Sequence, residues 1–195
     1  MPKGLQPRLA FAYQAMPIIN LLINSNLAVF DFEKESKKVS EMLWSDFEKD
    51  AKAILDELTG VPIIYSSQRN QCLAYKWKIS FNENAKTPAF FNTFPEFNHN
   101  EINSFTNTNV KFTLLMLNDS EDYINIKKRF AIVSDILKEK GAKVIEVKLK
   151  GKNRLSKLIY GMLLADWLAY IYAAKSGVDP LTVPIIDDLK KRLIL

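Results

Sequence analysis

The 195-residue chain is long enough for one domain of ordinary size with an appended arm, and its 48% hydrophobic content supplies a packed core, which excludes disorder. A single cysteine, Cys72, excludes an intrachain disulfide; the first residues show no signal-peptide pattern, so the cytoplasm is the expected compartment. The 27 basic and 22 acidic residues leave a net charge of +5, scattered rather than striped, which suits a small anionic ligand and gives no basic footprint for nucleic acid.

In chain order, residues 1–6 are a Pro/Gly-containing lead-in. Pro7–Leu22 predicts a helix, with a proline at its start and apolar residues at Leu9, Phe11, Ala12, Met16, Ile19 and Leu22; Pro17 predicts a kink there or two shorter helices. A long amphipathic helix is expected over Phe30–Leu58, with Leu43, Trp44, Phe47, Ala51, Ile54 and Leu58 at helical spacing and Gly60 as its stop. Val61–Tyr65 reads as a buried strand, Ser66–Asn70 as a polar loop, Cys72–Asn82 as helix, and Ala89–Phe91 as a weak strand after Pro88. Asn98–Phe105 suits a short helix, Val110–Leu117 a strand, Glu121–Lys140 an amphipathic helix closed by Gly141, and Val144–Leu149 a further strand. An apolar helix over Asn153–Ser176, stopped by Gly177, and a terminal helix over Leu181–Leu195 complete the chain.

The stretch Leu158–Ala174 is apolar apart from Asp166. It is short for a bilayer and carries a carboxylate near its centre, so a buried core helix is expected and no membrane span. Apolar strands alternating with helices predict an α/β fold, a three-layer parallel sheet flanked by helices of flavodoxin-like type, with an N-terminal helical arm and a C-terminal helix. The expected division is an arm over 1–59 and a sheet domain over 60–195. In such a sheet, ligands sit beyond the carboxyl ends of the strands, so the loops after Tyr65, Phe91 and Leu117 should line one edge.

Candidate chemistry concentrates in Phe81–Lys86 and Phe94–Glu101, where carboxylates and the only histidine fall within an Asn- and aromatic-rich span. Asparagines at this density suit the wall of a pocket for a hydroxylated ligand better than a core. Glu83 is a candidate base if partly buried among Phe81, Asn82 and Asn84, or else a solvated carboxylate. His99, between Asn98 and Asn100, titrates near neutral pH without help, or is a plain surface imidazole. One His and one Cys are a poor start on a metal set, and no GxGxxG, GxxxxGK[ST] or GxSxG occurs, so neither metal nor nucleotide cofactor is implied. Trp44, Trp77 and Trp167 suit core packing more than sugar stacking, and Ser66–Ser67 either forms a phosphate nest or turns the chain.

FNENAK-x-P-A-F followed by FPE-x-NHNE closely resembles the bifunctional phosphoglucose/phosphomannose isomerases, members of the sugar isomerase (SIS) superfamily. The likeness extends to Gln6–Ala10, which is similar to the family's linker into its second SIS domain, and to Ala74–Lys78, with Lys76 where the family has Arg. Asn153–Leu158 and Gly177–Lys190 resemble C-terminal elements of the family. The resemblance implies interconversion of glucose 6-phosphate or mannose 6-phosphate with fructose 6-phosphate through an enediol, without metal or cofactor. It implies Glu83 as the C–H base, His99 as the ring-opening group contributed by the other subunit of a homodimer, Arg8 as stabiliser of the enediolate, and Lys190 as an aid at the ring oxygen. The resemblance also implies Thr182 as the hydroxyl that the family uses to let C2 epimers react, while the neighbouring Leu181 stands where relatives often hold Thr. The family carries two SIS domains in tandem and this chain resembles the linker and the second, so the phosphate-gripping loop of the first domain is expected elsewhere. That fits a fragment of a longer isomerase, half of a split enzyme with a separate first SIS domain, or a non-catalytic sugar-phosphate-binding or regulatory SIS domain.

Overall fold

Four short runs of branched and aliphatic residues build the centre of this molecule, and their period-two alternation decides what lies on each face. The computed structural model describes residues 2–29, 31, 34, 37 and 44–193, without the side chains of 44–46. The chain divides into two units, Met1–Glu41 and Met42–Leu195.

In the first unit, a 3-10 turn at Pro7–Leu9 is followed by helix α1, Phe11–Asn24. Of the two outcomes expected at Pro17, a division into two helices does not occur: α1 runs through it, and the interruption falls at Ala10 instead. The Pro7 carbonyl accepts from Ala10 N at 3.1 Å and from Gln14 Nε2 at 3.1 Å, so a tight turn closes before the α-helical ladder begins.

The second unit opens with α2, Trp44–Glu57, the described part of the helix expected over Phe30–Leu58; Phe30, most of 32–43 and the side chain of Trp44 lie outside the described residues. It continues with strand β1 (Val61–Ser67), helix α3 (Gln71–Glu83), β2 (Phe90–Phe94), 3-10 turns at Glu96–Asn98 and Glu101–Thr106, and β3 (Phe112–Asn118). Helix α4 (Ile124–Glu139), β4 (Lys143–Lys148), α5 (Arg154–Ser176) and α6 (Pro184–Leu193) follow. All pairings are parallel, in the order β2-β1-β3-β4, with Ile63 opposite both Phe90 and Leu114, and Leu114 opposite Val144.

Because successive strand residues point to opposite faces, the alternation sorts the core in two. Ile64, Leu115, Leu117, Ile145 and Val147 pack with Phe47, Ala51, Trp77, Phe81, Leu164 and Leu168 from α2, α3 and α5. Ile63, Tyr65, Leu114, Met116 and Val144 pack with Phe97, Phe130, Val133 and Leu137 beneath α4 and the 3-10 turns. This is the expected three-layer α/β sandwich. Helix α2, assigned to the arm on sequence, contributes Phe47, Ala51, Ile54 and Leu55 to the core of the sheet unit.

The apolar helix α5 is a core element, as expected. Its N-terminus is a capping box, in which Asn153 Oδ1 accepts from Ser156 N at 2.9 Å and Ser156 Oγ accepts from Asn153 N at 3.1 Å. Asp166, the carboxylate in its middle, accepts from Lys76 Nζ at 2.6 Å and Ser80 Oγ at 2.8 Å, tying α5 to α3. Trp77, fully buried, donates to the Gly161 carbonyl at 2.8 Å, so its role is packing. No described helix is long and apolar enough to cross a membrane.

Gly60 marks the sharpest constraint between α2 and β1. Its φ is +69°, and a Cβ there would stand 2.0 Å from the Lys111 carbonyl oxygen, which also accepts from Val61 N at 2.9 Å. Gly60→Ala is therefore expected to destabilise the fold by roughly 2 kcal/mol or more, read as a lower urea midpoint at unchanged slope; an unshifted midpoint refutes the constraint.

Candidate active site

Glu83 occupies the last turn of α3, and the chain is fixed there by its own backbone. Lys86 takes a left-handed φ of +52°, Thr87 N donates to the Phe81 carbonyl at 3.1 Å, and Asn82 Nδ2 donates to the Thr87 carbonyl at 2.9 Å. The bond from Thr87 N back six positions to Phe81 closes the helix end around a left-handed residue, with lysine in a conformation glycine usually takes. Lys86 Nζ reaches back to the Glu83 carbonyl at 2.7 Å. Glu83 is half-buried, whereas Asn84, read on sequence as pocket wall, is buried.

Beside this ending lies a cleft of about 340 Å³ lined by Asn82, Glu83, Lys86, Thr87 and Pro88 on one side and Val183–Ile186, the approach and first turn of α6, on the other. That is the size range of small-ligand sites. Of the residues assigned on sequence, Thr182 immediately precedes this wall; Asp179 accepts from Leu181 N at 2.9 Å and from the Thr182 hydroxyl, and these bonds hold the Asp179 carboxyl below its ordinary range. Lys190 is exposed on α6, one turn beyond Ile186, and is not among the residues that line the cleft. Arg8 lies in the first unit, in the 3-10 turn, where its Nη1 donates to Gln6 Oε1 at 3.3 Å.

His99 lies elsewhere. It is exposed and ends the 3-10 turn after β2, its N–H donating to the Glu96 carbonyl at 2.9 Å, with Phe97 buried beneath it. Glu83 precedes β2 and His99 follows it. In an all-parallel sheet, the helix after β1 runs back to the amino edge, so Glu83 stands at that edge and His99 at the carboxyl edge. The five residues of β2 between them span about 16 Å at 3.3 Å per residue. Sequence proximity suggested one pocket; within one protomer the two residues flank opposite ends of the edge strand.

The carboxyl edge at the switch point between β1 and β3, where such sheets hold ligands, is occupied by a network that sequence reasoning missed. Ser67 Oγ donates to Asp122 Oδ1 at 2.6 Å, and Asn70 Nδ2 donates to Ser67 Oγ at 3.1 Å and Asp119 Oδ2 at 3.2 Å. From the start of α5, Lys157 Nζ meets Asp119 Oδ1 at 2.8 Å and Glu121 Oε1 at 3.0 Å; Arg154 Nη1 meets Asp119 Oδ2 at 3.3 Å and also bonds Asn70 Oδ1. Ser66 and Ser67 are buried and bonded internally. Burial alone would raise the Asp119 carboxyl, but hydrogen bonds from Lys157, the Glu121 backbone and Asn70 outweigh it and hold the group below its ordinary range. Asp122 goes the other way, pushed up by burial with the Asp119 charge adding to it. The spacing of Arg154 and Lys157, i and i+3 at a capped helix start, is the one sequence signal of this network, and it falls in the Asn153–Leu158 motif.

Comparison with known proteins identifies this framework. Residues 47–193 match the family described as bacterial phospho-glucose isomerase C-terminal SIS domain. The chain is 32% identical over 196 residues to the bifunctional phosphoglucose/phosphomannose isomerase of Aquifex aeolicus, covering 99% of this chain and 60% of that protein. It is 34% identical over 196 residues to the Thermoplasma volcanium protein of the same name, covering 99% and 62%. The chain thus spans about three fifths of the length of these curated relatives. A solved glucose-6-phosphate isomerase like protein from Thermus thermophilus superposes with a TM-score of 0.62 at 20% identity, over 82% of this chain and 57% of that one, a likeness of fold. The chain belongs to the bacterial phosphoglucose isomerase C-terminal SIS domain family.

Proposed function

We propose that this chain supplies the reacting end of an aldose–ketose isomerase that interconverts glucose 6-phosphate or mannose 6-phosphate with fructose 6-phosphate, in concert with a first SIS domain that grips the phosphate. Membership of the family, with Glu83 held at a capped helix end in a small-ligand cleft, carries this reading. His99 opens the sugar ring by passing a proton to the ring oxygen while the C1 hydroxyl loses one. Glu83 takes the proton from C2, leaving an enediolate, and returns it to C1 to give the ketose. Arg8 stabilises the enediolate oxygens, Lys190 assists at the ring oxygen, and the Thr182 hydroxyl accommodates the C2 epimers. No external oxidant or reductant is needed, since C2 is oxidised as C1 is reduced.

The separation of Glu83 from His99 supports a homodimer with shared sites. β2 is an edge strand, and a two-fold axis that runs two β2 edges antiparallel exchanges their ends, bringing His99 of one protomer towards Glu83 of its partner. Phe90 and Tyr75, both half or more exposed, lie on and beside this edge; Ile185 and Leu189 stand exposed on the helix that walls the cleft. Exposed apolar groups in such places suit surfaces covered in the working assembly.

The test is complementation. In the complete enzyme with its first SIS domain, Glu83→Gln and His99→Ala are each expected to be inactive in a coupled fructose 6-phosphate assay. Mixed in equal amounts and allowed to exchange subunits, they are expected to recover about a quarter of wild-type activity, because half of the dimers then hold one intact site of two. No recovery despite verified exchange refutes shared sites. Sugar-phosphate binding without turnover in any pairing identifies the chain as a non-catalytic binding or regulatory SIS domain.

A further inference from the structure

Glu101 belongs to the same sequence stretch as His99, yet nothing in the proposed reaction uses it. Its carboxylate is claimed at both oxygens: Tyr65 OH donates to Oε1 at 3.0 Å, and Asn92 Nδ2 donates to Oε2 at 2.5 Å. Tyr65 and Asn92 are register partners across β1 and β2, so their side chains share one face of the sheet and meet a single acceptor. Asn92 is itself anchored, its Oδ1 accepting from Thr93 N at 2.7 Å. Tyr65 is fully buried, its ring 4.0 Å from the Phe97 ring, centroid to centroid, and Phe97 packs edge-on against Phe94 at 5.3 Å. Burial first, then the charge and hydrogen bond of Glu101, push the Tyr65 hydroxyl well up, so it stays a donor at any ordinary pH.

The segment carrying His99 is therefore pinned on both sides. Phe97, two residues before, is buried in the core, and Glu101, two residues after, is tied to two adjacent strands. An exposed imidazole between two such anchors has little backbone freedom, although its own side chain faces solvent. We infer that Glu101 is a positioning residue that holds His99 in place, with Tyr65 and Asn92 as its fixed partners. As a contribution to catalysis this rests on the isomerase reading above; as a statement about His99 it stands on the hydrogen bonds alone. Glutamine at this position would keep one acceptor and present an amide donor to the other strand's donor, opposing one of the two bonds.

The chain contains one histidine, so imidazole NMR signals report on His99 without assignment work. In the full chain, Glu101→Gln and Tyr65→Phe are each expected to shift or broaden the His99 ring signals while core methyl signals keep their dispersion. Tyr65→Phe retains the ring that packs on Phe97, and so serves if Glu101→Gln does not fold. Ring signals superimposable on wild type in the folded variants overturn the inference.

A second arm reads the reaction in the complete enzyme. Glu101→Gln is expected to lower turnover of glucose 6-phosphate about 10- to 100-fold through misplacement of the ring-opening group. Deuterium exchange at C2 of erythrose 4-phosphate, which cannot cyclise because its terminal hydroxyl is esterified, is expected to stay within about twofold, since that step needs only the base. Equal loss on both substrates overturns a role specific to His99. Absence of exchange by the wild type itself would count against the isomerase reading, while the NMR outcome still decides whether Glu101 holds His99.

Discussion

Glu83→Gln in the complete enzyme is expected to lower kcat for fructose 6-phosphate formation by about 10²- to 10⁴-fold, the range supplied by a positioned general base. KM should change little, because glutamine keeps the shape and polarity of the side chain and loses only its capacity to take a proton. The fold should survive, since the end of α3 is held by backbone bonds, Thr87 N to the Phe81 carbonyl and Asn84 N to the Ser80 carbonyl at 2.9 Å. The decisive measurement is deuterium uptake at C2 alongside the coupled assay. A variant that still exchanges the C2 proton at the wild-type rate removes Glu83 from the role of base.

Lys157→Met is expected to cost about 3–5 kcal/mol of folding stability, the usual penalty for stranding one charge of a buried pair. The Lys157 and Asp119 side chains are 3% and 0% exposed and joined at 2.8 Å, so removal of the ammonium leaves a desolvated carboxylate with Arg154 as its remaining cation. Methionine preserves the aliphatic stem, which confines the loss to the charge. The double variant Lys157→Met/Asp119→Asn should recover part of it, and failure to recover any would show that packing, not charge, was removed. For a domain whose total stability is about 5–15 kcal/mol, the single change is a large fraction.

The pH dependence of the wild type follows from the same groups. The Asp119 carboxyl is held below its unfolded value of 3.8, so its contribution is present above that pH and lost as pH falls through the lower folded value. Burial alone would lower the Lys157 ammonium, but its bonds to Asp119 and Glu121 prevail and raise it above 10.5; its contribution is complete below that pH and lost as pH rises through the folded value. Asp122 has the opposite sign. Its raised carboxyl costs stability at neutral pH, and that cost fades as pH falls through the folded value. In Lys157→Met the acid-side loss from Asp119 should shrink, since burial is then less opposed.

The strands of the core were legible because their faces are both covered. Val61–Tyr65 reads as a short apolar run and Val110–Leu117 as a strand whose second half is wholly apolar, and β1 and β3 are the two central strands. β2 read weakly and ended early, at Phe91 instead of Phe94, since it lies at the edge and carries Asn92 and Thr93. Asn92 serves a tertiary contact with Glu101 that no local pattern announces. The helix stops at Gly60, Gly141 and Gly177 were visible for a backbone reason, each having a positive φ. Pro17 does not divide α1, because propensity against an internal proline is a prior that tertiary context overrides. Glu83 and the α6 wall were within reach of the motif. Their separation from His99 follows from the strand already read at Ala89–Phe91 between them; what no local pattern gave was that this strand is the edge of the sheet. The Asp119–Lys157 pair was hidden for a similar reason: two ordinary charges 38 positions apart become a core element only when β3 and α5 meet.

The short edge strand between base and imidazole has a consequence for how the reaction depends on amount. On the shared-site reading proposed above, a protomer alone would carry halves of two sites and the whole of neither, so catalytic capacity would follow the fraction of chains paired, not the number present. Specific activity should then rise with protein concentration and level off once pairing is complete. On rapid dilution it should decay with the dissociation rate of the pair, which makes the lifetime of the assembly, not the chemistry at C2, the setting on which output depends.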